Sequence, residues 1–184
     1  MYDRLINQHM SELTELELAH PFLASDTILR EFVSSWEKHT LPKAEWTHAA
    51  HIAVCAFYTA ALGSEEALQR MREGIPLYNV ASGGQNSEDS GYHETLTCFW
   101  AAIIRDFIAA SQFPTTFAAV QATVLRYGQQ RKLHEAFYSF DVVNDRRARR
   151  EWLPPDTAPS NRIGAGSVSG LVSHDGFTRD HCKT

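Results

Sequence analysis

A chain of 184 residues that is 43% hydrophobic and 21% charged can bury a core of its own, so a globular domain is expected rather than a fibrous or low-complexity chain. Its net charge of −5 argues against nucleic acid or an anionic membrane surface as general partners, since both draw on surplus Lys and Arg. No run nears the roughly 18 apolar residues of a membrane span, and Met1-Tyr2-Asp3-Arg4 leads into polar residues rather than a signal-peptide core, so a cytoplasmic setting is expected.

Residues 1–24 form an N-terminal segment in which Ser11 to Leu18 reads as a short helix ended by Pro21. A firmer helix starts at Ser25 or Asp26, either of which can cap it, and carries Ile28, Phe32 and Trp36, with Val33 alongside, as its apolar stripe. The second runs from about Lys43 to Leu62 and stops at Gly63; its stripe of Ile52, Cys55, Thr59 and Leu62 continues backwards through His51 and His48. Both imidazoles are therefore expected to turn inward. Alanines at 49, 50, 53, 56, 60 and 61 let another helix come close.

Ser64 is expected to cap a third helix that buries Leu68, Met71 and Ile75 and stops at Pro76. A polar loop, 79–91, follows. The fourth helix, Tyr92 to about Ala110, is apolar nearly all round and belongs in the middle of a bundle. Thr115 caps the fifth, with Phe117, Val120, Val124 and Tyr127 inward and Gly128 at its end. Residues 129–140 read as a weak helix or loop, Asn144 as the cap of a short basic helix over 145–152, and 157–184 as a flexible tail. The expected fold is all-α: a single domain over 25–156, a bundle of about five principal helices plus a short C-terminal one.

Three histidines and a carboxylate stand out. His48 and His51 are three residues apart, so their nitrogens can converge on one ion, and His93 could add a third from a second buried helix. Three neutral imidazoles with an open position make a hydrolytic zinc site; iron, nickel, manganese or cobalt would accept the same ligands. Neighbouring helical residues diverge by about 100°, which favours His93 as ligand and Glu94 as the base or the acceptor that orients another histidine. Thr47, Tyr92 and Thr95 are hydroxyls close enough in sequence to support such a site.

Other patterns rank below this one. Glu17-x-x-His20 and Glu45-x-x-His48 match one step of a di-iron carboxylate bundle, but of the further carboxylates it needs only Glu94 is obvious. Gly83-Gly84 lacks the strand and helix of a phosphate loop and reads as a turn. The arginines from Arg146 to Arg150 read as a solvated helix face, and Ser139 has no nucleophile context. Cys55, Cys98 and Cys182 show no paired spacing; the first two read as core residues.

Trp46-Thr47-His48-x-x-His51, Gly91-Tyr92-His93-Glu94-Thr95-x-Thr97, Phe137-Tyr138-Ser139, Ala148-Arg149 and Trp152-x-Pro154-Pro155-Asp156 together resemble a family of small, uncharacterised bacterial proteins. The resemblance covers about residues 28–156. It implies that His48, His51, His93 and Glu94 belong to one shared pattern with Tyr138 and Ser139 near it, and it carries no activity. The expectation from the residues is a metal-dependent hydrolase or lyase for a small-molecule substrate, with His48, His51 and His93 on the ion and Glu94 and His93 catalytic. A metal-free His/Glu acid–base enzyme and a non-enzymatic helical module with a buried polar network are the alternatives.

Overall fold

The computed structural model describes residues 15, 16 and 18–157, and they form an all-α fold with no strand among them. The expected N-terminal helix from Ser11, the Glu17-x-x-His20 pattern and the tail beyond Thr157 lie wholly or partly outside the described residues. Two compact units divide at Leu41 and Pro42. No helix among the described residues is long and apolar enough to cross a membrane.

The first unit holds a 3-10 turn, Pro21–Leu23, and helix α1, Asp26–Glu37. Ser25 caps α1 as expected, its side chain accepting from the Ile28 N–H at 3.2 Å. Phe32, Val33 and Trp36 are buried as expected, but the first inward position is Leu29, fully buried, rather than Ile28, which is exposed. Phe22 stacks on Phe32 with ring centroids 4.4 Å apart.

The second unit carries α2 (His48–Leu62), α3 (Ser64–Ala81), α4 (Glu94–Ala110), α5 (Thr116–Tyr127) and the short α6 (Arg146–Arg150), with 3-10 turns at Lys43–Glu45 and Leu133–Ala136. Helix α2 packs on α5, α3 and α4. Ala49, Ala50, Ala53 and Ala56 are buried along it, whereas Ala61 and Leu62 at its far end are exposed. Small side chains set the spacing: a Cβ on Gly128, just after α5, would meet Ala49 Cβ at 3.4 Å. The core between the helices is filled by Phe99, Ile104 and Val120, all fully buried, with Phe99 edge-on to Phe137.

Several helix ends differ from expectation. Helix α2 begins at His48 rather than Lys43, because Thr47 in extended conformation caps it by accepting from the Ala50 N–H at 3.3 Å. Helix α4 begins at Glu94, with His93 as its cap; and α3 starts from Gly63, not from a capping Ser64, and runs through Pro76 to Ala81. Proline removes one backbone donor but leaves its carbonyl, and here Asn86 uses that carbonyl. The Asn86 amide donates to Pro76 O at 2.9 Å, and its Oδ1 accepts from Asn79 Nδ2 at 2.9 Å and from the Tyr92 N–H at 3.0 Å. One side chain thus fastens the loop after α3 to the last turns of that helix and to the start of the next.

The same loop requires glycine at 91. Its φ is 82°, and a Cβ there would sit 2.3 Å from Gln85 O and 2.7 Å from Asn86 Oδ1. Gly91→Ala is expected to lower stability by about 1–3 kcal/mol or more, read as a lower urea midpoint at unchanged slope. A midpoint equal to wild type would mean that the loop refolds around the methyl group without loss.

Candidate functional site

Within the second unit, residues from α2, α3, the Gly91-to-Trp100 stretch and the Leu133–Ala136 turn enclose a cavity of about 800 Å³. His48, His51 and His93 all line it, so the structure brings the three expected histidines to one space. Leu96 and Trp100 are only half-buried, although they belong to a helix that is apolar nearly all round, because they form the cavity's wall.

The proton on each imidazole follows from its partner, since a carbonyl can only accept. His51 donates through Nδ1 to Thr47 O at 2.8 Å, leaving Nε2 with its lone pair. His48 donates through Nε2 to Tyr127 O at 3.2 Å, leaving Nδ1. His93 donates through Nε2 to Val142 O at 2.9 Å while its Nδ1 accepts the Leu96 N–H at 3.3 Å, so neither nitrogen is left over. Burial lowers the pKa of all three, that of His51 to about 4, and the Arg131 charge lowers His48 and His51 further. All three are neutral at pH 7.

This changes the roles expected of two residues. Both His93 nitrogens are engaged within the fold, where the ring caps α4 and ties that helix to Val142. Of the three histidines expected on an ion, His48 and His51 each keep one lone pair free. Among the described residues, no group of three or more His, Cys, Asp or Glu side chains is placed to hold a metal ion.

Glu94 does not line the cavity. Its carboxylate faces α3, accepting from Arg72 Nη2 at 2.5 Å and Nε at 2.9 Å, from Tyr92 Oη at 2.5 Å and from Cys98 Sγ at 3.2 Å. Burial alone would raise the Glu94 carboxyl, but the Arg72 and Tyr92 hydrogen bonds and the Arg72 charge outweigh it and hold it below the usual carboxylate range. Burial and Glu94 together push the Tyr92 phenol up. Thr95 is fully buried, donating to Glu151 O at 2.7 Å and accepting the Leu153 N–H at 3.0 Å. Tyr138 donates to Leu153 O at 3.0 Å, and Ser139 bonds Asp156. These three hold the C-terminal segment of the fold and lie outside the cavity wall. Of the hydroxyls expected near the histidines, Thr47 and Tyr92 are there.

Sequence reasoning missed four contributors. Trp46 lies over His51 with ring centroids 3.9 Å apart, and Trp100 meets His48 edge-on at 4.8 Å. Arg131 and His134 come from the stretch read as weak helix or loop; His134 is 7% exposed, and its Nδ1 has no hydrogen-bond partner among the described residues. The one available signal was a histidine set between Leu133 and Phe137, both of which are buried. The arginine run is more than a solvated face: Arg146 and Arg150 pair with Glu88 and Asp89 of the loop, and Arg149 donates to Gly91 O, Tyr92 O and Val143 O. It fastens the loop that presents Gly91 and Tyr92 to the cavity. Asp145, not Asn144, caps that short helix, accepting from the Ala148 N–H at 2.7 Å.

No family model, no curated protein and no solved structure matches the chain.

The Glu94 setting gives a signed pH prediction. Because its folded pKa is depressed below 4.5, the stability it contributes is complete above that value and is lost as pH falls through the folded pKa. Glu94→Gln leaves Arg72 partly buried and unpaired, and is expected to cost about 3 kcal/mol at pH 7. Chemical denaturation at pH 7, 5 and 3 should show the gap to wild type narrowing in acid. A gap that stays constant over that range would remove the ion pair from the account.

Proposed function

We propose that the cavity is the site of a metal-independent acid–base enzyme for a small molecule, with His51 and His48 as its neutral proton acceptors. The observation that carries this reading is the pair of imidazoles on one helix whose N–H groups are anchored on Thr47 O and Tyr127 O. An anchored, desolvated imidazole keeps one lone pair available and pays no reorganisation when a donor arrives. His51 follows the pattern most fully, with the shorter anchor, an indole over its ring and a pKa lowered to about 4. The cavity volume falls in the range that encloses small ligands. In this reading His93 is a positioning residue that fixes the start of α4, and Glu94 holds α3 to α4.

Two measurements test it. Ring 15N chemical shifts should show His51 as the Nδ1–H tautomer and neutral from pH 8 down to about pH 4. Diethyl pyrocarbonate, which attacks an unprotonated ring nitrogen, should label His51 and His48 faster than His93 between pH 5.5 and 7.5, as read by peptide mass spectrometry. Once a substrate is in hand, His51→Gln should lower turnover at least about 100-fold, and chelators should leave it unchanged. Labelling of His93 at the rate of His51, or stoichiometric zinc that raises Tm through His48 and His51, would overturn the assignment.

A further inference from the structure

Resting on that reading of His48 and His51 as acceptors, we infer the class of molecule the cavity takes: a small aromatic carboxylate that also carries an O–H or N–H donor. The carboxylate follows from Arg131. Every other described arginine is hydrogen-bonded to a carboxylate or carbonyl or lies over a ring, as Arg126 does over Tyr127. Among the described arginines, the Arg131 guanidinium alone has no hydrogen bond or ion pair, and Arg131 lines the cavity.

Beside it, Lys132 and Glu135 pair at 3.4 Å and offset each other, leaving one net positive charge there. A guanidinium matches a carboxylate through two parallel N–H bonds. An ammonium ligand would have to draw Glu135 away from Lys132, because Glu94 is turned away onto Arg72.

The donor follows from the histidines. His51 Nε2 and His48 Nδ1 are acceptors, and filling the cavity with a wholly apolar body would bury both without partners. The flat body follows from the wall. Trp46 and Trp100 stand on the two histidines, with Ile52 and Leu96 beside them. Indole and aliphatic surfaces together favour an aromatic ring. The ligand therefore lies with its acid on Arg131 and its hydroxyl or amine N–H on the imidazoles.

The test is isothermal titration calorimetry on the full chain with four probes: 4-hydroxyphenylacetate, its neutral amide 4-hydroxyphenylacetamide, phenylacetate and tyramine. The hydroxy acid should bind most tightly. Arg131→Gln, at an exposed position that leaves Tm unchanged, should weaken it about tenfold or more and bring it level with the amide. His51→Gln should erase its advantage over phenylacetate.

If the amide or tyramine binds wild type as tightly as the acid, or Arg131→Gln changes nothing, the carboxylate assignment falls while the acceptor reading stands. If phenylacetate matches the hydroxy acid and both still depend on Arg131, the acceptor reading falls and the carboxylate stands. Failure of all four probes to bind at millimolar concentration overturns the proposal.

Discussion

A desolvated imidazole is neutral, and its single N–H must find an acceptor; at each of the three expected histidines a main-chain carbonyl takes that role. Thr47, Tyr127 and Val142 supply the carbonyls, each from a different part of the second unit. The choice of nitrogen matters more than the presence of the residue. His51 and His48 each have one nitrogen over, and His93 has none because the Leu96 N–H takes the second. Three residues that look alike in the sequence thus divide into two acceptors and one cap. Only a helix end decides it, since His93 can accept from Leu96 only by standing outside the first turn of α4.

The cavity wall depends in turn on a loop that has few apolar contacts to hold it. Asn86 joins it to Pro76, Asn79 and Tyr92, and Arg146, Arg149 and Arg150 grip it from α6. Exposed ion pairs of this kind contribute little singly, but Arg149 also satisfies backbone carbonyls, and those have fixed positions. Away from the cavity, Glu94 accepts from Arg72 on one oxygen and from Tyr92 on the other. Tyr92 therefore bridges the two systems, its backbone held by the loop and its phenol by the ion pair.

The existence, order and type of the principal helices could be read from the sequence, because apolar periodicity reports burial directly. So could the gathering of His48, His51 and His93, which lie on inward-facing positions. Boundaries were less readable. Lys43 to Trp46 has helical composition, yet Thr47 as cap resets the start, and Pro76 looked terminal although its carbonyl was wanted by a residue ten positions on. The role of Glu94 was out of reach for a plainer reason: its partner Arg72 lies 22 residues earlier on a helix that showed only its apolar face. Arg131 and His134 sit in a segment without periodicity, and their meaning comes from tertiary placement alone.

Arg131 ties the two halves of the site together. Its charge is one of the causes, after burial, that lower the pKa of both His48 and His51. An anion seated on it would cancel that repulsion and leave burial as the chief depressing influence. The imidazoles would then become better bases when the carboxylate arrives, and in proportion to how well it pairs. A neutral analogue filling the same space would exclude water without this gain, and so make the imidazoles weaker bases instead. If the cavity takes such a ligand, recognition of its acid and basicity at the imidazoles become one electrostatic quantity rather than two separate devices.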